Sequence, residues 1–169
     1  MKILAWLERR RVRREFGKHV SPAVIRSIEK SRNRGELPGK PETRHFQFIV
    51  VHIQDSQPDE IAPVVAKVVD ACLRHHAVIS NLSASLIVAC LGGPFPEFDS
   101  AEGRLSLVTA LVTEAGNRIR IAHGHCDGLL GNFGSEKRWT YEAVVPGFSG
   151  ILGQLLGRPF GTAVEIVCE

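Results

Sequence analysis

The run FQFIVVHI, residues 46–53, constrains the fold of this chain more than any other segment. It is dominated by aromatic and β-branched residues with little alternation, which is typical of a strand in the middle of a sheet covered on at least one face. The next segment, residues 58–76, begins with a proline and two acids and then runs apolar at helical spacing. The sequence therefore predicts a buried strand followed directly by a helix.

The later segments alternate between strand and helix patterns. In chain order they predict strands at 77–82 and 84–93, a helix at 100–116, a strand at 118–125, a hairpin at 128–144, a helix at 148–156 and a strand at 162–169. This order predicts an α+β fold, with a ferredoxin-like βαββαβ core and an appended β-hairpin, short helix and strand.

The first 45 residues differ in charge from the rest of the chain. They carry 13 Lys/Arg against 5 Asp/Glu, a net of +8, whereas residues 46–169 carry 8 against 13, a net of −5. Residues 1–16 and 21–30 predict two helices, and residues 31–44 are a polar stretch rich in Gly and Pro that predicts a linker. We therefore expect a basic helical arm with its linker at 1–45 and a single domain at 46–169.

The arm concentrates its charge in a short arginine run. The run consists of Arg9, Arg10, Arg11, Arg13 and Arg14. On one interpretation the arm is a solvated helix that packs its apolar stripe on the body or on a partner's equivalent helix. On the other it is an interfacial helix whose arginines contact an anionic membrane. Nucleic acid is the less favoured partner, because the interleaved aromatic residues of a stacking platform are absent from the arm.

The cysteines and the first residues bear on localisation. Cys72, Cys90, Cys126 and Cys168 form no C-x-x-C pair and lie in apolar surroundings, which favours reduced core thiols over a disulfide framework. The opening MKILAWL is much shorter than the ~20 residues of a spanning helix, and it lacks the cleavage site of a secretion signal. We expect a cytoplasmic protein, with any membrane association made through the arm.

Two segments resemble one protein family. FGKHVSPAVI, residues 16–25, resembles the F-x-x-Y-V-S-P segment that precedes the catalytic domain of many bacterial class III adenylate and guanylate cyclases. GNFGSEKRWTYEAVV, residues 131–145, resembles their G-N-I-G-S-x-x-R-x-D-Y-T-V-I hairpin, and CLGGPFP, residues 90–96, falls where cyclases carry F-G-x-P. The resemblance covers nearly the whole chain and implies the nucleotide-cyclase fold, which works as a dimer.

The resemblance also implies an active site between two domains, where two Asp side chains hold Mg²⁺ or Mn²⁺ on a nucleoside triphosphate. In this chain the two Asp positions align with His52 and Ser85, and neither is a carboxylate. Hard dications require charged oxygen ligands, so we expect no metal cofactor here. Asp55 lies three residues after His52, where an extended chain would direct its side chain to the opposite face.

The positions that the family uses to read the purine and to stabilise the transition state have also changed. The purine-reading Lys aligns with Asn81. The N-x-x-x-R pair aligns with Gly150 and Gln154, or with Ser149 and Gly153 if the register moves by one residue. No guanidinium remains in either register to stabilise a pentavalent phosphate.

These substitutions predict a catalytically inactive cyclase-homology domain that acts as a regulatory or scaffold module. It would pair with itself or with another cyclase-like domain. Asp59 and Glu60 fit this prediction, because they occupy the helix start that would otherwise help to hold a triphosphate. Two alternatives stay open: a divergent active cyclase that uses His52 and Asp55 with a different metal, and a sensor that binds a small ligand in the vacated groove.

Three histidines raise a separate metal hypothesis. His52, His123 and His125 would approach one another if the first strand pairs with RIRIAHGH, as the ferredoxin-like order predicts. Imidazoles suit a transition metal. The favoured alternative is that His123 and His125, which share parity with the neighbouring isoleucines, are partly buried and bonded by backbone groups.

Overall fold

The structure is a computed structural model that describes residues 41–92, 96–135 and 138–168, with the backbone alone at 96, 132–135 and 138–141. Within these residues the elements follow the predicted order. They are β1 (Glu42–Ile53), α1 (Pro58–Arg74), β2 (Val78–Leu82), β3 (Leu86–Leu91), α2 (Ala101–Ala115), β4 (Ile119–Ser135), β5 (Arg138–Val144), α3 (Phe148–Leu156) and β6 (Ala163–Val167). The predicted α+β class and the βαββαβ order with its appended hairpin, helix and strand are confirmed.

The strands form one sheet in the order β2-β3-β1-β4-β5, with β6 parallel to the first half of β4. All the other pairings are antiparallel. β1 therefore lies in the middle of the sheet between β3 and β4, as its apolar sequence predicts. Its whole length pairs with β4, from Glu42 opposite Leu130 to Ile53 opposite Ile119.

Two boundaries differ from the prediction. β1 begins at Glu42, inside the stretch that the sequence marked as linker, and the strand at 118–125 continues without a break into the hairpin as the single strand β4. The early start of β1 follows from the continuity of β4, because residues 127–130 of β4 pair with residues 42–45.

The start and end of α2 follow the sequence signals. The side chain of Ser100 accepts a hydrogen bond from the backbone N–H of Gly103, and Gly116 ends the helix at φ 55°. α1 begins with Pro58 in its first turn and continues through Pro63. Of the described helices, none combines the length and the apolar character that crossing a bilayer requires.

The sheet has two differently covered faces. On the helix face, which carries α1 and α2, Ile49, Val51 and Ile53 of β1 are buried. On the groove face, which carries α3, the alternate residues Phe46, Phe48 and Val50 are buried. This alternation fixes which residues of β1 and of its neighbours can take part in a site on either face.

The predicted helical arm lies outside the described residues, as do positions 93–95 of CLGGPFP and positions 136 and 137 at the tip of the hairpin. The division of the chain into an arm at 1–45 and a domain at 46–169 stays a prediction.

Candidate functional site

The candidate site lies at the end of β1 on the groove face. His52 follows the buried Val50 on this face and is partly buried itself. It pairs with Leu86 of β3 on one side and with Arg120 of β4 on the other. Residues directly opposite each other in a sheet point to the same face, so His52 and Arg120 lie side by side.

Arg120 is held by three hydrogen bonds. Its Nε donates to Nδ1 of His52 at 3.3 Å, and its Nη1 donates to the backbone carbonyls of Leu156 and, at 2.8 Å, of Arg158. Its guanidinium carbon lies 4.6 Å from the ring centroid of Phe160, within cation–π range. A permanently charged group is therefore fixed between the end of β1 and the C-terminal end of α3.

His52 is a neutral acceptor in this arrangement. Burial lowers its pKa from the ordinary value, the guanidinium of Arg120 lowers it further, and the carboxylate of Asp55 opposes both effects. Because arginine can only donate, the bond from Arg120 assigns the lone pair of His52 to Nδ1 and its proton to Nε2. The lone pair of Nδ1 is occupied and is not available to a metal ion.

Three other predicted residues lie around the same end of β1. The backbone carbonyl of Ser85, in the turn between β2 and β3, accepts the N–H of Ile53 at 2.8 Å. Asn81 is exposed on β2, opposite Val88 and next to an irregularity in the strand register, and it lies on the groove face. Asp55 is exposed beyond the end of β1, so strand alternation does not apply to it, and it lies close enough to His52 to affect its pKa.

The predicted residues of α3 lie elsewhere. Ser149, Gly150 and Gln154 are all exposed. Gly150 and Gln154 line a cavity of about 280 Å³ between α3 and the strand β6, together with Ile166 and Cys168. The predicted positions therefore form two sets, one around the end of β1 and one on α3. The C-terminal end of α3 contacts the first set, because Arg120 donates a hydrogen bond to the carbonyl of Leu156.

A second arginine lies beside the loop between β1 and α1. Arg118 donates to the hydroxyl of Ser56 at 2.7 Å and to the carboxylate of Glu60 at 3.2 Å. Glu60 and Asp59 lie in the first turn of α1, as predicted. One of the two acids at this helix start is thus paired with the guanidinium of Arg118.

Sequence reasoning missed Arg118, Arg120 and Phe160. The sequence did contain a signal for Arg120. In the strand RIRIAHGH side chains alternate between the two faces, so Arg120 lies on the face opposite to Ile119 and Ile121. No sequence signal indicated Phe160, which lies in the connection between α3 and β6.

The three histidines of the metal hypothesis do not come together. His123 and His125 pair with Ile49 and Gln47 on the helix face, whereas His52 lies on the groove face. The favoured alternative is also wrong in part, because His125 is exposed and the buried Nδ1 of His123 has no hydrogen-bond partner among the residues that the structure describes. Within the described ranges no three His, Cys, Asp or Glu side chains are arranged to hold a metal ion.

Sequence comparison gives relatives but no characterised function. No model of a protein family matches the chain. The uncharacterized protein Rv1319c of Mycobacterium tuberculosis is 31% identical over 182 aligned residues, which cover 96% of this chain and 30% of that protein. Rv1318c of the same species, also uncharacterized, is 29% identical over 157 residues, which cover 81% of this chain and 28% of that protein. The chain thus spans about 30% of the length of these relatives.

Comparison with solved structures identifies the fold. The guanylyl cyclase Cya2 matches with a TM-score of 0.59 at 17% identity, over 76% of this chain and 77% of its own. The adenylyl cyclase CyaB from P. aeruginosa matches with a TM-score of 0.56 at 13% identity, over 73% and 78%. A dimeric guanylyl cyclase domain of a fusion protein from Blastocladiella emersonii matches with a TM-score of 0.56 at 11% identity, over 75% and 81%. The described part of this chain therefore has the fold of the class III adenylyl and guanylyl cyclase catalytic domains.

Proposed function

We propose that this chain is a catalytically inactive cyclase-like domain that acts in signalling as a dimeric regulatory or scaffold module. The observation that carries the proposal is the guanidinium of Arg120 bound to His52 at the end of β1. The resemblance to cyclases implies a metal-binding carboxylate at the position of His52. The chain has its own fixed cation there instead.

Arg120 disfavours a divalent ion on two grounds. It occupies the lone pair of His52, and its positive charge repels a dication at close range by several kcal/mol in a partly solvated site. The neighbouring position, Ser85, contributes a neutral hydroxyl and uses its backbone carbonyl to hold Ile53. Neither position supplies the anionic oxygen ligands that Mg²⁺ and Mn²⁺ require.

Arg120 is also poorly suited to bind the phosphates themselves. The bonds to Leu156 and Arg158 commit Nη1, and the ring of Phe160 packs against the guanidinium. A phosphate would have to displace these interactions before it could form a bidentate pair. At the start of α1 the carboxylates of Asp59 and Glu60 would repel a triphosphate, and Arg118 is already paired with Glu60.

The hairpin supports the pairing part of the proposal. Leu129 of β4 and Val144 of β5 are directly opposite each other and remain 41% and 44% exposed. Two adjacent exposed aliphatic side chains on a regular strand pair can be covered by a second domain. The guanylyl cyclase domain of the Blastocladiella emersonii fusion protein has been solved as a non-canonical dimer and also as a monomer, so a domain with this fold can pair.

An assay for cyclic nucleotide tests the proposal. Purified full-length chain is incubated with ATP or GTP and Mn²⁺, with an active cyclase as the positive control, and its oligomeric state is measured by analytical ultracentrifugation. We expect a dimer that forms neither cAMP nor cGMP. Cyclic product that disappears in His52→Ala would overturn the proposal and favour the divergent cyclase. A monomer at micromolar concentration would remove the pairing role.

A further inference from the structure

Cys126 lies on β4, and Cys168 directly follows the end of β6 at Val167. The parallel ladder between β4 and β6 ends with His125 opposite Val167, so the next position along each chain is a cysteine. Both belong to the apolar cluster of the groove face. The two thiols lie close enough for each to affect the pKa of the other.

The spacing of adjacent strands suits a disulfide at these positions. Neighbouring strands lie ~4.8 Å apart, within the range of ~4.4–6.8 Å that disulfides span between Cα atoms. Cys90 is excluded as a partner for Cys126 because it lies on β3, and β1 separates β3 from β4. Two strand spacings amount to ~10 Å, which is too far for a disulfide. Cys72 is buried on the helix face.

The two thiols differ in access to solvent. Cys126 is buried, whereas Cys168 is partly exposed and borders the cavity of about 280 Å³ between α3 and β6. Burial raises the pKa of Cys126 to about 12 and also raises the pKa of Cys168, although Cys126 offsets part of the shift at Cys168. Cys168 is thus the residue that a small oxidant meets first.

We propose that Cys126 and Cys168 form a redox-modification site, a dithiol that a peroxide converts into an intramolecular disulfide. The thiolate of Cys168 attacks one peroxide oxygen, the O–O bond breaks, and the sulfur becomes a sulfenic acid while the other oxygen leaves as water after taking a proton. The sulfur of Cys126 then attacks the sulfenic sulfur. Its proton and the sulfenic hydroxyl leave as a second water, and the S–S bond forms.

The disulfide would tie the end of β6 covalently to β4, next to the cavity lined by Gly150 and Gln154. Little of the end of β6 is buried, because Val167 is 76% exposed and follows the last buried residue, Ile166. Oxidation therefore stabilises an element that otherwise depends on a short ladder. This inference is independent of whether the domain has cyclase activity.

Limited oxidation of the purified full-length chain with hydrogen peroxide at mildly alkaline pH tests the proposal. Free thiols are counted in denaturant, and disulfide-linked peptides are mapped by mass spectrometry without reduction. We expect the thiol count to fall from the four of the sequence by one pair, a Cys126–Cys168 linkage, and a higher melting temperature that a dithiol reductant reverses.

Two variants provide the controls. Cys168→Ser should keep the fold, as judged by circular dichroism, but form no linkage and show no rise in melting temperature. Cys90→Ala removes another thiol of the same apolar cluster and should still form the Cys126–Cys168 linkage. Retention of all thiols in the wild type, over-oxidation without a linkage, or a linkage between any other cysteines would overturn the proposal.

Discussion

At the scale of single residues, the polar groups on the two faces of the sheet serve different purposes. On the groove face, Arg120 bonds to His52 and to backbone carbonyls, so its charge is partly compensated by hydrogen bonds. On the helix face, Arg104 of α2 is only 4% exposed and pairs with Glu165 of β6, while its Nε and Nη1 find no hydrogen-bond partner in the described part of the chain. His123 lies beside this pair.

The protonation of His123 predicts how stability depends on pH. Burial lowers its pKa first and Arg104 lowers it further, while Glu165 opposes both. The folded pKa is below the unfolded value of about 6.5, so the unfolded state binds more protons and stability falls as pH falls below that value. We expect the melting temperature to decrease between pH 7.5 and 5.5, roughly the window set by the unfolded pKa, and less steeply in His123→Leu.

Leucine is a suitable replacement at this position because it removes the titrating ring and the unpartnered Nδ1 without leaving a large cavity. His52 and His75 also have lowered pKa values and remain in the variant, so part of the pH dependence should persist. Identical melting curves for the wild type and His123→Leu across the window would contradict the assignment.

At the scale of elements, the long strand β4 organises the fold. The first half of β4 pairs with β6 and its second half pairs with β5. On its other edge, β4 pairs with the whole length of β1. Because β4 has close neighbours on both edges, some of its positions have no room for a side chain and are glycines. A Cβ at Gly124 would lie 2.2 Å from the carbonyl oxygen of Ile166 and 2.9 Å from the ring of Phe48, and a Cβ at Gly128 would be similarly close to Val144 and Phe46.

Gly124→Ala should therefore destabilise the domain, because β6 and the ring of Phe48 must move apart from β4. We expect a loss of ~1–3 kcal/mol or more in the free energy of unfolding, measured by urea denaturation. Gly153→Ala is the matched control: it lies exposed in α3 with no atom near its Cβ position, and alanine there should gain up to ~1 kcal/mol. Equal stability of Gly124→Ala and the wild type would show that the close packing at β4 is not required.

The sequence predicted the elements better than it predicted the contacts between them. Apolar periodicity and the caps Ser100 and Gly116 located α2 at its observed bounds, since these signals are local, and the helix predicted at 148–156 has the bounds of α3. The continuity of β4 and the early start of β1 were missed because they depend on strand pairing between distant residues. For the site, alignment to cyclases identified His52 and Ser85, but the cation beside His52 became visible only in the strand register.

At the scale of the whole molecule, the fold of a cyclase catalytic domain is combined with a site whose central group is a cation. The longer mycobacterial relatives extend well beyond the region that they share with this chain. The proposed role, pairing without catalysis, would suit a domain within a larger assembly. In the proposed function, the pair of Arg120 and His52 leaves no place for a divalent ion.

Isothermal titration of Mn²⁺ into the full-length chain tests this claim most directly. His52→Asp/Ser85→Asp/Arg120→Ala serves as the matched variant, because it restores both carboxylates and removes the competing charge. We predict no saturable Mn²⁺ binding to the wild type and measurable binding to the triple variant. Saturable Mn²⁺ binding to the wild type that is lost in His52→Ala would contradict the account.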